Sequence, residues 1–368
     1  MKIRSTPLLT GSIGTARELT SFHFGVPGKQ KIYIQSSLHA DETPAMLVSL
    51  YLKRRLIELE QHNAIDAEII LVPVANPIGL SQNLLGQLIG RFDAGTGQNF
   101  NRDFPRFDHC VSPADLGTDP VRNKELIVSA LLNELANAHP LTEFESLRLN
   151  LLALSIDADL VLDLHCSLEA IIHLYANSSQ WSEVEPLARY LGAEVSLLAT
   201  DSGGDSFDEA HTLFWSNLKQ GMDQRIPMPG GCVAVTVECR GQRDVSHELA
   251  SQDADAIIDF LAWRGAIAGA APALPPLAGE PTPLAGSEQF YAPVSGILVH
   301  RVALGAHVQP GEALFDIIDP VTDHTTTVCS KTSGVLYMRR AIRFVHSGNP
   351  IGRVTGSTAF RTGKLVGL

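Results

Sequence analysis

Short apolar runs alternate along the first two-thirds of the chain with stretches in which apolar residues recur every three or four positions. Residues 31–35, with Ile32, Tyr33 and Ile34, predict a strand. Residues 45–60 follow, with Met46, Leu47, Leu50, Leu56 and Ile57 near helical spacing, and Pro44 is well placed for the first turn of that helix. A second strand is predicted at 68–74, helices at 126–138 and 143–155, a strand at 170–176 and a helix at 183–191. The runs 159–164 and 232–237 are nearly continuous in apolar residues, as strands covered on both faces of a parallel sheet are. A helix at 252–268 closes the series. This alternation predicts an α/β fold, a mixed and mostly parallel sheet flanked by helices.

Two stretches interrupt the pattern. Residues 76–107 form a long, glycine-bearing connection, and connections of that length tend to carry function. Residues 271–287 are rich in proline and alanine, which suits a semi-rigid linker, so the expected division is a catalytic region 1–270, the linker 271–287 and a β-rich region 288–368. In the last region Ser295-Gly296-Ile297-Leu298 is echoed by Ser333-Gly334-Val335-Leu336, and Gln309-Pro310-Gly311 by Gly348-Asn349-Pro350. Two half-repeats of short strands predict a small all-β module, which resembles the barrel-sandwich fold of biotinyl and lipoyl carrier domains. Those domains carry their cofactor on a hairpin lysine; residues 316–327 contain none, so the resemblance implies the fold without the carrier role.

Composition narrows the function classes. A chain of 368 residues, 45% hydrophobic and 18% charged, can bury a large core. Its net charge of −12, without a Lys/Arg cluster, argues against a nucleic-acid partner. No apolar stretch has the length of a signal peptide or a membrane span, so a soluble, cytoplasmic protein without a membrane partner is expected; homo-oligomerisation stays open. The five cysteines are widely spaced and form no CxxC pair, which fits reduced thiols. Cys166 and Cys239 adjoin candidate site residues, yet buried, inert thiols are the expectation.

The chemistry gathers at strand ends. His39 and Glu42 stand three residues apart just beyond the first predicted strand, and His165 follows the run 159–164. Imidazole and carboxylate suit Zn²⁺, a catalytic zinc takes three protein ligands and keeps an open position, and ligands in open α/β sheets collect beyond the carboxyl ends of strands. One zinc per chain on His39, Glu42 and His165 is therefore expected. Glu238 closes the run 233–237, and a carboxylate ending so apolar a strand is costly unless exposed or at work. Asp163 would share a strand face with His165, either to orient it or as a buried structural aspartate, and the pattern leaves both readings open; His173, in an apolar run, reads as a core histidine.

Taken together, these residues resemble the succinylglutamate desuccinylase/aspartoacylase family, a branch of the zinc carboxypeptidase-like fold, over about residues 30–265. The family's His-Gly-Asn/Asp-Glu motif corresponds to His39-Ala40-Asp41-Glu42, with Ala40 in place of glycine. Its arginine corresponds to Arg91, and its Asn-Arg pair to Asn101-Arg102, preceded by Asn99-Phe100 where aspartate-leucine is usual. The resemblance implies Glu238 as general base and acid, Arg91 as oxyanion stabiliser, and Asn101 with Arg102 as holders of a substrate carboxylate. Guanidinium chemistry agrees with both arginine roles. The implied activity is zinc-dependent hydrolysis of the amide of a small N-acyl amino acid. A zinc carboxypeptidase acting on short peptides, or a metal-free binding protein, are the alternatives.

Overall fold

The computed structural model describes residues 1–221 and 230–367, and every statement below concerns these. The chain opens with the antiparallel pair β1 (Lys2–Pro7) and β2 (Glu18–Gly25). β3 (Lys31–Ser36) turns into α1 (Thr43–Gln61), and β4 (Glu68–Val72) follows. The 76–107 connection holds a single-turn helix, α2 (Pro77–Leu80), and a small hairpin of β5 (Asn83–Leu84) and β6 (Gln87–Leu88). Next come α3 (Pro120–Asn137), α4 (Glu143–Ser155), β7 (Leu160–Ser167), β8 (Glu169–Ala170) and β9 (His173–Asn177). α5 (Trp181–Leu191), β10 (Val195–Ala199), α6 (Phe207–Gly221), β11 (Val233–Gly241), α7 (His247–Trp263) and β12 (Thr282–Pro283) follow.

The large strands form one nine-stranded sheet in the order β1-β2-β4-β3-β7-β11-β9-β10-β12. Its centre, β4-β3-β7-β11, is parallel, and β9 enters antiparallel to β11. Alternation along each strand sends side chains to opposite faces. Ile32, Ile34, Leu160, Leu162 and Val235 therefore pack with Val48 and Leu52 of α1 and Ile257 of α7. Tyr33, Val161 and Ala234 pack on the other face with Ile127, Leu147 and Phe214 of α3, α4 and α6. Helices on both faces explain the continuous apolar runs. The result is a mixed α/β fold with a large sheet flanked by helices. No helix among the described residues is long and apolar enough to cross a membrane.

Several elements depart from the expected bounds, each for a local reason. α3 begins at Pro120 because the Asp119 carboxylate caps the N–H groups of Val121 and Arg122 at 2.9 and 3.4 Å. α7 begins at His247 under a Ser246 cap and ends at Trp263, and Ile267 instead bridges to Ile65. The strand expected at 170–176 splits, with β8 leaving the large sheet and β9 rejoining it. β11 runs past Glu238 to Gly241, and its pairing with β7 is irregular between those two residues. β1, β2, β10 and α6 had no counterpart in the sequence reading.

Beyond β12 the chain forms β13 (Glu288–Tyr291), β14 (Gly296–His300), β15 (His307–Val308), β16 (Ala313–Asp319), β17 (His324–Cys329), β18 (Gly334–Arg339), β19 (Phe344–Val345) and β20 (Pro350–Val354). Their small antiparallel sheets enclose Phe290, Leu314, Phe315 and Leu336. They meet the large sheet at two places: β12 extends it beside β10, and β8 pairs with β18 through Met338↔Ala170 and Arg339↔Glu169. Val195 and Leu197 pack there against Leu284, Val335 and Tyr337. The junction roofs the C-terminal edge of the parallel strands.

Candidate active site

His39 lies in the turn after β3, and Glu42 immediately precedes α1, its N–H donating to the His39 carbonyl at 3.1 Å. The turn directs both side chains to one point. The left-handed residue is Ser37, at φ 63°, not Ala40, so an L side chain fits at Ala40. Room for that methyl comes from two glycines: a Cβ at Gly90 would lie 2.7 Å, and one at Gly79 3.0 Å, from the Ala40 Cβ. The Ala40 N–H donates to the Gly90 carbonyl at 3.0 Å, which places Arg91 beside the turn.

His165 projects from β7 into the same point, within the strand rather than after it. His39, Glu42 and His165 are all buried, and one ligand atom from each lies within 4.8 Å of the others. Both imidazoles face the carboxylate through Nδ1, at 3.0 Å for His39 and 2.7 Å for His165. The opposite nitrogens are held from behind: His39 Nε2 donates to Asn99 Oδ1 at 2.8 Å, and His165 Nε2 to Asp163 Oδ2 at 2.9 Å. Gln35 donates to Asp163 Oδ1 at 2.9 Å and accepts from the Tyr33 hydroxyl at 2.9 Å, extending the buried network under the sheet.

The electrostatics ask for a cation here. Burial, then the Arg91 charge, lowers His39 to about 4, so its ring is neutral at pH 7. With the proton on Nε2, the Nδ1 lone pair faces a carboxylate oxygen, an acceptor against an acceptor. Arg91 Nη1 straddles the two, 3.0 Å from Glu42 Oε1 and 3.3 Å from His39 Nδ1. Burial would lower His165 and raise Glu42, but each is outweighed: Asp163 and Glu42 hold His165 well above its ordinary value, and the two histidines hold Glu42 well below. A neutral imidazole, a second imidazole and a carboxylate, all second-contact supported, are a donor set that can hold a metal ion.

Glu238 is the register partner of His165 across β11 and β7, so both side chains leave the sheet on the same face. Burial first, then the nearby Glu42 charge, raises its carboxyl to about 7, and Ser167 donates to it at 3.3 Å. A carboxyl poised near neutrality can accept and return a proton. Arg102 lines the same space, donating to the carbonyls of Asn101 at 2.6 Å and Gly367 at 2.7 Å. The Asn101 amide is already engaged: its oxygen accepts from the Phe207 N–H at 2.8 Å and its nitrogen lies 3.3 Å from His165 Nε2. All seven residues expected at the site thus line one cavity of about 550 Å³.

Further residues brace or line the site. Asn99 orients His39 from a loop, with nothing in its sequence neighbourhood to show which ring it meets. Arg148 of α4 donates to the carbonyls of Asn99, Arg102 and Asp103, fixing the loop that bears Asn101 and Arg102. Asp208 and Glu209 open α6 on the cavity wall. The C-terminal sheets contribute Gln289, Tyr291, Met338 and Arg353. Tyr291, for which no motif suggested a place, is thus a lining residue. His173 stays outside, buried between the rings of Tyr175 and Tyr337. Burial pushes the Cys166 and Cys239 thiols upward, so neither is a thiolate near neutral pH.

Comparison with known proteins finds relatives that share the fold. No curated protein matches the chain. A succinylglutamate desuccinylase/aspartoacylase family protein from Shewanella amazonensis superimposes with a TM-score of 0.84 at 25% identity, covering 96% of this chain and 98% of that one. A second, from Shewanella frigidimarina, gives 0.82 at 23% identity over 96% and 97%. The fold is shared more distantly with the ectoine utilization protein EutE (DoeB) of Ruegeria pomeroyi, at 0.68 and 14% identity over 96% and 95%. The family model described as the succinylglutamate desuccinylase/aspartoacylase catalytic domain matches residues 28–264, a span that contains the entire His39, Glu42, His165 and Glu238 constellation. The chain therefore belongs to the succinylglutamate desuccinylase/aspartoacylase family.

Proposed function

We propose that this protein is a zinc-dependent amidohydrolase that removes the acyl group from a small N-acyl amino acid, with residues 1–270 as its catalytic region and residues 288–368 as a β module closing the pocket. The observation that carries the reading is the pairing of the His39, Glu42 and His165 triad with a carboxyl, Glu238, raised to about 7 on the same sheet face. Zinc bound by that triad would supply a water of lowered pKa and a Lewis acid for the amide carbonyl.

The protein's own groups divide the remaining work. Glu238 takes the proton of the attacking water and returns it to the departing nitrogen, which a carboxyl near neutrality does in both directions. Arg91, beside Glu42, offers its guanidinium to the negative charge developing on the carbonyl oxygen. Arg102 holds the substrate carboxylate at the position now marked by the Gly367 carbonyl, and Asn101 fixes that loop against His165 and α6. The roof of Tyr291, Met338 and Arg353 favours a small acyl amino acid over a peptide, because it limits the cavity to about 550 Å³.

The test is a panel of N-acyl amino acids and short peptides assayed for amine release, alongside elemental analysis. Stoichiometric zinc and turnover of the N-acyl compounds are expected. His39→Ala loses the metal, and Glu238→Gln keeps it while kcat falls roughly 10²- to 10⁴-fold. Full activity of Glu238→Gln would refute the proton-transfer role, and preferential cleavage of peptides would favour the carboxypeptidase reading.

A further inference from the structure

Three different metal-ligating groups meet outside the active-site cavity. His109 and Cys110 stand just beyond the long 76–107 connection, and Glu134 lies in the last turn of α3. His109 Nε2 is 3.2 Å from Glu134 Oε1 and 3.8 Å from Cys110 Sγ, and one ligand atom from each residue lies within 4.8 Å of the others. None of the three lines the cavity that holds His39, Glu42 and His165. Ordinary zinc bond lengths at tetrahedral angles put a nitrogen ligand about 3.3 Å from an oxygen ligand and about 3.5 Å from a sulfur ligand. Both spacings here agree with those to within a few tenths of an ångström.

Simpler readings of the cluster fit less well. A thiol nucleophile activated by histidine uses one ring nitrogen for the thiol and the other for an orienting carboxylate, whereas here the same Nε2 meets both. A surface ion pair between His109 and Glu134 contributes little and leaves the place of the thiol unexplained. The charges acting on that thiol, those of Glu134 and Asp108, are both negative, which favours a cation. The scaffold is firm although the tips of His109 and Glu134 are exposed. Phe107 and Val111 are buried on either side of the His109-Cys110 pair, and Leu131 and Leu135 on either side of Glu134, all four in one apolar cluster. The Cys110 N–H donates to the Phe107 carbonyl at 2.9 Å, and Asn217 of α6 donates to Asp108 at 3.1 Å. Groups on segments anchored in this way need little rearrangement to meet an ion.

We propose that His109, Cys110 and Glu134 form a second metal site, which takes a divalent cation of the zinc class. Imidazole, thiolate and carboxylate together suit such an ion, and three protein ligands leave a position for water. On binding, the metal–sulfur bond replaces the S–H bond of Cys110 and the proton passes to solvent. The ion then ties α3 to the loop that continues from Asn101 and Arg102. Exposure of His109 and Glu134 lets it enter directly from solution. The site stands apart from the deacylase reading, since it needs neither the ion of the triad nor turnover.

The experiment is a titration of metal-free protein with cobalt(II), whose charge-transfer band in the near ultraviolet reports a thiolate ligand. The His39, Glu42 and His165 triad contains no sulfur, so the band reads the second site alone. It is expected in wild type and in His39→Ala, and absent from Cys110→Ser. Zinc should displace the cobalt and bleach the band. His109→Ala and Glu134→Gln should each weaken the cobalt affinity by more than the roughly 10- to 100-fold that loss of an outer partner costs. Zinc should also shield Cys110 from alkylation, read by peptide mass spectrometry, while the exposed Cys329 reacts as before. No band in wild type, an undiminished band in Cys110→Ser, or equal alkylation of Cys110 with and without zinc overturns the proposal. Equal zinc content in wild type and His39→Ala would instead count against the metal of the triad, and the cobalt band would still decide the Cys110 site.

Discussion

Asp163 shows how much of this site depends on residues that would never touch a metal. It braces His165 on the side away from Glu42 and is itself braced by Gln35. Asp163→Asn keeps the shape and removes the charge, and metal affinity measured against a competing chelator should fall roughly 10- to 100-fold. An unchanged affinity would remove Asp163 from the site. Gly90 is the second case: a methyl there would lie 2.5 Å from the Asp41 nitrogen and 2.7 Å from the Ala40 carbonyl carbon, both backbone. Gly90→Ala should cost about 1–3 kcal/mol in thermal unfolding and displace Arg91, lowering turnover as well. At this scale the sequence was informative where chemistry restricts residue type, as at His39, Glu42 and His165. It was silent where the partner lies far along the chain: the space that admits Ala40 is made by Gly79 and Gly90, and the brace of His39 is an asparagine in a loop.

Among the elements, α4 does more than cover the sheet. Its Arg148 is lowered to about 10 by burial, stacks over Phe144 at 4.3 Å and donates to three carbonyls of the 99–103 backbone, those of Asn99, Arg102 and Asp103. Arg148→Met retains most of the apolar packing and leaves those carbonyls without their donor. Faster amide exchange across residues 99–103 and a fall in kcat/KM are the expected results; protection equal to wild type would show that the loop holds itself. Apolar periodicity located α1, α4 and the buried strands because each packs one face or two against the sheet. It misplaced the ends of α3 and α7, where the decisive signals are the Asp119 and Ser246 caps rather than hydrophobicity. It also joined β8 to β9, since an unbroken apolar run does not reveal that its first residues pair with a different sheet.

At the scale of the molecule, Glu169 ties the two halves together. Arg339 donates to it at 2.8 Å and Arg343 at 3.2 Å, with His300 Nδ1 at 3.9 Å. Burial would raise its carboxyl, but the Arg339 hydrogen bond and the two arginine charges hold it below the ordinary 4.5. A depressed carboxyl stabilises the folded form above its unfolded pKa and loses that contribution as pH falls through the folded one. The junction should therefore loosen as pH drops below about 4.5, seen as faster proteolysis and amide exchange in β18, and Glu169→Gln should lose this step at a cost of about 1 kcal/mol at neutral pH. The ends of the molecule were the least legible part, because the roof of the cavity is made by side chains such as Tyr291 and Arg353 whose neighbours in sequence belong to another sheet. β7 brings His165 to the triad, and only four residues later Glu169 is paired with Arg339 of β18. For recombination between relatives this has a practical meaning: the C-terminal sheets are not an exchangeable cassette, and a chimera joined at the proline-rich stretch must inherit residues 165–170 from the same parent as its C-terminal half.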